Sequence, residues 1–301
     1  MTSVFSNSAV DDDVRRGMLY AGELFVYSAT PSSLALVRLA RNLIEEAFGG
    51  RDPETAQFDM PVEDYAALLA GLKPRFIHHP DCKKLLPAIV EELGGDPART
   101  YFDVPRMRTA TSDDYLTSGI AYAFHPHRDC WYSAPFNQIN HWLPIYPVVP
   151  ENVMAFHPQY FGQPVRNGSA RYDYAEWNRV SRHSAAQHIK TDTREQPRPE
   201  EPVSLDPQIR VVPEPGGILM FSGAQLHSTV PNTSGRTRFS IDFRTVQIDD
   251  VREHRAAENV DARCTGTTLR DFVRCTDLAT MPEELAVDYE ERAARVAAVP
   301  A

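Results

Sequence analysis

Two kinds of hydrophobic pattern divide the chain. Up to about residue 100, apolar positions recur at helical spacing. Pro31-Ser32-Ser33 opens a run in which Leu36, Val37, Ala40, Leu43 and Ile44 fall on one face, and Gly49-Gly50 stops it. Residues 61–72 and 85–93 repeat the pattern, the second closed by Gly94-Gly95. From about residue 101 the pattern changes to short β-type runs at 101–111, 119–124, 138–149, 153–156, 209–212, 218–221 and 238–246, punctuated by Pro, Gly, Asn and Ser. Many short strands predict an antiparallel sandwich or jelly roll, with the N-terminal helices packed on it as supports.

The β pattern lapses over about 159–208, a polar stretch with several aromatics that ends rich in proline. A connection of this length predicts a functional lid. Residues 282–298, rich in Glu, Ala and Arg behind a proline, predict a surface helix. The resulting expectation is a single domain: helical support over 1–100, a mainly β core over 101–246 interrupted by the insertion, and C-terminal helices over 247–301.

Composition narrows the partners. The 301 residues are 42% hydrophobic, enough for a full core, and the balance of 31 Lys+Arg against 41 Asp+Glu gives a formal charge of −10. Phosphate neutralisation needs clustered cations, so a nucleic-acid polymer is not an expected partner. No apolar stretch nears the roughly 18 residues of a membrane span, and the start Met-Thr-Ser-Val-Phe-Ser-Asn-Ser lacks signal-peptide character. A soluble, cytoplasmic protein is expected. Cys82, Cys130, Cys264 and Cys275 form no Cys-x-x-Cys pair and are expected as free thiols.

The candidate chemistry starts at His127-Arg128-Asp129, which ends the alternating run Ile120-Ala121-Tyr122-Ala123-Phe124. Residues two apart on an extended segment share a face, so His127 and Asp129 point together, with Arg128 and Cys130 opposite. A glycine turn, an apolar strand and a second turn deliver His227 within Gly216-Gly217-Ile218-Leu219-Met220-Phe221-Ser222-Gly223-Ala224-Gln225-Leu226-His227. Two imidazoles and a carboxylate make the facial triad of a non-haem Fe(II) site, with positions left for a cosubstrate and O₂. A second His-x-Asp, His79-Pro80-Asp81, has no strand pattern before it and adjoins Lys83 and Lys84, which predicts a solvated loop. Arginine is dense over Arg236-Thr237-Arg238-Phe239-Ser240-Ile241-Asp242-Phe243-Arg244. An inward guanidinium needs an anion, and its fork matches a carboxylate.

These residues resemble the Fe(II)/2-oxoglutarate-dependent dioxygenases, specifically the phytanoyl-CoA dioxygenase-like branch. Its order is His-x-Asp, a distal His, Asn-x-Ser and an Arg, met here by His127 and Asp129, His227, Asn232-Thr233-Ser234 and Arg238. Gln138-Ile139-Asn140-His141-Trp142-Leu143-Pro144-Ile145 and Glu151-Asn152 extend the likeness over about 104–246. Where relatives often read Pro-Gly-Ser-His, this chain has Phe156-His157-Pro158-Gln159.

The resemblance implies His127, Asp129 and His227 as iron ligands, Arg238 as partner of the far carboxylate of 2-oxoglutarate, and Thr229 and Trp142 as lining of that pocket. Arg236 competes with Arg238. It implies O₂-dependent conversion of 2-oxoglutarate to succinate and CO₂, coupled to hydroxylation, desaturation or ring formation at an unactivated C–H bond of a polar small molecule in specialised metabolism. Halogenating relatives lack the carboxylate ligand, and Asp129 is present. Trp131, Tyr132 and Gln138 after the metal strand, with Arg166, Asn167, Arg171, Tyr172, Tyr174 and Trp177 in the insertion, are the candidate substrate contacts. Three rival readings use the same residues: buried core histidines, a zinc hydrolase, and a jelly-roll binding protein without turnover.

Overall fold

The computed structural model describes residues 2–117, 125–181 and 196–297. The strand expected over 119–124 and the middle of the insertion, 182–195, lie outside the described residues.

The first hundred residues hold more than helices. β1 (Val4–Ser6) and β2 (Leu24–Tyr27) flank α1 (Asp12–Tyr20) and join the main sheet as a parallel pair. Four residues are too few for alternation to register in a sequence pattern, yet Leu24 and Phe25 are both fully buried, on opposite faces. α2 (Pro31–Phe48) begins and ends where its punctuation predicts. Thr30 and Ser33 form a reciprocal capping box, Pro31 takes the first turn, and Gly49 closes the helix in the left-handed region. α3 (Val62–Ile77) and α4 (Cys82–Glu92) follow, each a turn off the expected boundaries.

The expected 101–111 strand is two strands, β3 (Thr100–Phe102) and β4 (Arg106–Ala110), because Pro105 interrupts the run. β5 (Ile139–Pro144) and β6 (Met154–Phe156) precede the insertion, which in its described parts is short turns plus the single-turn α5 (Tyr174–Glu176), continued as π-helix over Trp177–Ser181. Then come β7 (Ile209–Arg210), β8 (Ile218–Ser222), β9 (His227–Thr229) and β10 (Arg238–Gln247). The C-terminal part is not all helix: α6 (Ile248–Arg252) and α7 (Glu283–Ala297) bracket irregular chain and β11 (Val273–Arg274). Among the described residues no helix is long and apolar enough to cross a membrane.

The strands form an eight-stranded sheet, β1-β2-β8-β5-β10-β3-β11 with β4 also on β10, and a three-stranded sheet, β7-β6-β9. Alternation assigns the large sheet's two faces. Ile139, Leu143, Met220, Phe239, Ile241 and Phe243 pack with Leu36, Ile44, Leu69, Phe76 and Ile89 of the helices. Trp142, Leu219, Phe221 and Leu24 point the other way, onto Met154 and Phe156 of the small sheet. Each large apolar side chain so buried contributes about 1.5–3 kcal/mol. The order of layers is therefore helices, large sheet, small sheet, and the functional residues lie between the two sheets.

Candidate metal centre

His127 and His227 face each other across an isolated antiparallel bridge, exchanging backbone hydrogen bonds of 2.9 and 3.0 Å. The bridge extends the small sheet beyond β9 and sets the two imidazoles with ring centroids 4.4 Å apart. Arg128 is extended, so Asp129 returns to the His127 face. The backbone N–H of Asp129 donates to Gly223 O at 2.9 Å. A Cβ on Gly223 would come within 3.3 Å of Gln138 Nε2 and 3.4 Å of Asp129 Cβ, so glycine is what lets the two segments close up.

The side chains converge. Asp129 Oδ1 lies 3.6 Å from His127 Nε2 and 3.9 Å from His227 Nε2. Among the described residues these three form the one group of at least three metal-ligating side chains whose donor atoms lie within 4.8 Å of one another. The decoy forms no such group: His79 and Asp81 sit between α3 and α4, with Asp81 paired to Lys84.

Every ligand atom is oriented from behind. His127 Nδ1 contacts His125 O and His227 Nδ1 contacts Gln225 O, each at 2.9 Å, which fixes the tautomer that leaves both Nε2 lone pairs toward the centre. Gln138 Nε2 donates to Asp129 Oδ2 at 2.9 Å and Asn140 Nδ2 donates to the same oxygen at 2.7 Å. Oδ2 is thereby taken and Oδ1 is the oxygen presented. Burial, reinforced by His127, pulls the His227 pKa down to about 4, so the imidazole is a neutral donor at physiological pH. Burial would raise Asp129, but the adjoining His127 and His227 rings and the Arg244 guanidinium hold it well below the usual carboxylate range.

Thr229 lies on the His227 face of β9, and Trp142 sits between the sheets. Arg238 is buried, its guanidinium 5.6 Å from the Trp142 ring centroid. One terminal nitrogen donates to Asn152 O at 3.0 Å, while buried Nε has no partner and no carboxylate pairs with the side chain among the described residues. Burial, with Arg108 adding to it, pulls its pKa down to about 10. Ser240, next on the same face, buries an Oγ that also has no partner. Arg236 is largely exposed and 3.6 Å from Glu54. Asn232 braces the turn that delivers Arg238, donating to Ala110 O and Arg236 O and accepting from Ser234.

Several expected substrate contacts have other surroundings. Trp131 is fully buried and donates its indole N–H to Asp261 at 2.7 Å, so it anchors the turn after Asp129. Gln138 is buried and holds Asp129. Arg166 and Arg171 are exposed and bound to Glu200, while Asn167 caps a turn. Tyr174 contacts Asp271. Tyr132 alone among these residues has its ring against a metal ligand, edge-on to His127 with centroids 5.6 Å apart. Tyr172 packs on Tyr132, and Trp177 on Tyr172. Cys130 faces away into a core cluster, and all four cysteines are unpaired.

Arg128 and Asp261 were not legible as a pair. Arg128 is fully buried, donating to Asp261, Ala224 O, Tyr160 O and Gln163 O, and it ties the metal strand to the insertion. Asp261 also receives Trp131 and the Val165 backbone.

The sequence matches no protein-family model and no curated protein. Among solved structures it is similar to EvdO2 from Micromonospora carbonacea var. aurantiaca complexed with 2-oxoglutarate, at 11% identity over 80% of this chain and 92% of that one, TM-score 0.44. The epimerase SnoN in complex with Fe3+, alpha ketoglutarate and nogalamycin RO is 13% identical over 78% and 85%, TM-score 0.40. AviO1 from Streptomyces viridochromogenes Tue57 is 14% identical over 84% and 100%, TM-score 0.39.

Proposed function

We propose that the protein is an Fe(II)/2-oxoglutarate-dependent oxygenase with a double-stranded β-helix core, acting on a C–H bond of a polar small molecule. The observation that carries this reading is the combination of an oriented His-Asp-His face with a buried arginine that has no carboxylate partner among the described residues. The donor set of two imidazoles and one carboxylate suits ferrous iron. The buried Arg238 and Ser240 donors fit the far carboxylate of 2-oxoglutarate, for which a zinc hydrolase has no use. The phytanoyl-CoA-like branch rests on the motif order alone.

His127 Nε2, His227 Nε2 and Asp129 Oδ1 would hold the iron, whose redox chemistry couples O₂-dependent conversion of 2-oxoglutarate to succinate and CO₂ with oxidation of the substrate. The backbone carbonyls of His125 and Gln225 keep the imidazoles in the binding tautomer. Gln138 and Asn140 keep Asp129 bound through one oxygen, which leaves positions for the cosubstrate and O₂. Arg238 and Ser240 hold the cosubstrate's remote end, and Thr229 and Trp142 shape the pocket. Tyr132, backed by Tyr172, covers the His127 side and excludes water there.

The test is substrate-free turnover. Protein reconstituted with Fe(II) should form succinate from 2-oxoglutarate only when O₂ is present, and the zinc-loaded protein should form none. Equal succinate with Asp129→Ala, or none from folded Fe(II) protein that binds 2-oxoglutarate, sinks the assignment.

A further inference from the structure

The irregular chain after α6 runs alongside the turn that carries Asp129. Asp261 meets Arg128 and Trp131, and the Cys264 thiol donates to Cys130 O at 3.0 Å. Ser133 Oγ donates to Thr265 O at 2.8 Å, and the Thr268 N–H donates to Ser133 O at 3.0 Å. At the head of this strap stands the Asp261 carboxylate, its side chain only 4% exposed. One oxygen accepts the Trp131 indole N–H at 2.7 Å, and the other accepts Arg128 Nε and the Val165 N–H, each at 3.0 Å. Asn259 holds the turn that presents it, exchanging hydrogen bonds with the Ala262 backbone. From Asp261 the Arg128 guanidinium reaches on. One terminal nitrogen donates to Ala224 O at 2.6 Å, and the other donates to Tyr160 O at 2.6 Å and Gln163 O at 2.9 Å.

We propose, on the reading above, that Asp261 is a positioning residue of the metal centre, acting through Arg128 to set the three ligands against one another. Arg128 stands between His127 and Asp129 in the chain, and its side chain leaves on the opposite face, where Asp261 fixes it. Ala224 belongs to the turn that delivers His227. Its neighbour Gly223 accepts the Asp129 N–H at 2.9 Å, and its other neighbour, Gln225, supplies the carbonyl that orients the His227 ring, also at 2.9 Å. One guanidinium thus holds the His127-Asp129 segment in register with the His227 turn. The chemistry of the pair separates positioning from cohesion. Taking two charges out of water is costly, and apolar side chains of similar volume would hold these segments together at least as well. What the guanidinium adds is direction, because its planar fork fixes the angle of every hydrogen bond it donates. A carboxylate on the Nε edge fixes the plane of that fork, and Asp261 supplies it from 133 residues further along the chain. The C-terminal part, which holds none of the three ligands, is in this way part of their frame.

The experiment is titration of the metal-free, full-length protein with Co(II), recording affinity and the visible ligand-field absorption, with urea unfolding of the same samples. Asp261→Asn and Arg128→Lys should each bind Co(II) about tenfold or more weakly than wild type and with an altered absorption envelope. Arg128→Lys keeps the charge beside Asp261 but cannot make the four bonds of the fork. Trp131→Phe is the control: it takes a hydrogen bond from the same carboxylate and lowers stability, while Co(II) affinity and absorption stay as in wild type. Three results overturn the proposal: Arg128→Lys binding Co(II) as wild type does, Asp261→Asn losing stability with affinity and absorption unchanged, or Trp131→Phe losing as much affinity as Asp261→Asn. If Asp261→Asn does not fold, Arg128→Lys decides alone. Wild-type protein that binds no Co(II) overturns the metal-centre reading itself, whatever the variants do.

Discussion

Arg238→Met separates a binding role from a structural one, because the first predicts a loss of affinity and the second a loss of stability. In the ligand-free protein the guanidinium is buried, makes one hydrogen bond to Asn152 O, leaves Nε without a partner and forms no ion pair among the described residues. Replacing buried charge by an apolar side chain of similar volume is often neutral or stabilising by about 1–4 kcal/mol. Against this stands one orphaned carbonyl, worth about 1–3 kcal/mol. Mid-range values of the two nearly cancel, so ligand-free stability should change by about 1 kcal/mol. The bound state loses a charge-assisted pair to the cosubstrate carboxylate, and truncating one partner of such a pair costs about 2–5 kcal/mol. Taking about 3 kcal/mol, 2-oxoglutarate affinity should fall about 100-fold. Urea unfolding without ligand and calorimetric titration of Ni(II)-loaded protein with 2-oxoglutarate read the two quantities. Arg236→Met, at an exposed residue 3.6 Å from Glu54, should alter affinity less than about threefold. If Arg238→Met loses more than about 2 kcal/mol of stability while 2-oxoglutarate binds as before, the arginine is a structural member of the core and the anchor lies elsewhere.

Asn140→Ala removes the shorter of two donors to Asp129 Oδ2 and should weaken Co(II) binding about 10- to 100-fold; an unchanged titration shows that Gln138 alone suffices. His141 faces the helices, buried and stacked on Phe243 at 4.5 Å, and its pKa is pushed down to about 3 by burial and then by Arg15. Below about pH 6.5 the unfolded chain takes up a proton that the folded one resists, so stability falls with pH from there to about 3, by up to about 1.4 kcal/mol per unit. His141→Phe should flatten urea midpoints between pH 7 and 5 relative to wild type, and parallel profiles refute the assignment. Trp131→Phe deletes the indole hydrogen bond to Asp261 and should cost about 1–3 kcal/mol in the same assay with 2-oxoglutarate affinity intact; a loss of affinity without a loss of stability returns Trp131 to the site.

What could be read from the chain is what local periodicity encodes. The i, i+2 spacing of His127 and Asp129 puts both on one face whatever the rest of the fold does, and Gly49 stops α2 by a conformational preference carried in one residue. Features built by long-range pairing were not legible. Gln138 was expected near the substrate because it follows the metal strand; its register, with Asn140 on the same face of β5, turns it onto Asp129 instead. Trp131 was a candidate substrate contact because it follows the metal strand, and only Asp261, far along the chain, explains why its indole is buried. β1 and β2 escaped notice because strands of three and four residues carry too few alternations. Arginine is visibly dense over 236–244, but the pairing of Arg108 with Asp242 and of Arg244 with Asp103 emerges only when β3 and β4 lie against β10.

The central claim is that His127, Asp129 and His227 bind ferrous iron with 2-oxoglutarate chelated to it. Its most direct test is anaerobic addition of Fe(II) and then 2-oxoglutarate to the metal-free protein, recording the visible charge-transfer absorption of the chelate. The account predicts a band that is lost in Asp129→Ala and retained in Asp81→Ala, because the His79-Pro80-Asp81 loop lacks a third ligand among the described residues. A folded, iron-loaded protein with no band, or one whose band survives Asp129→Ala, contradicts it.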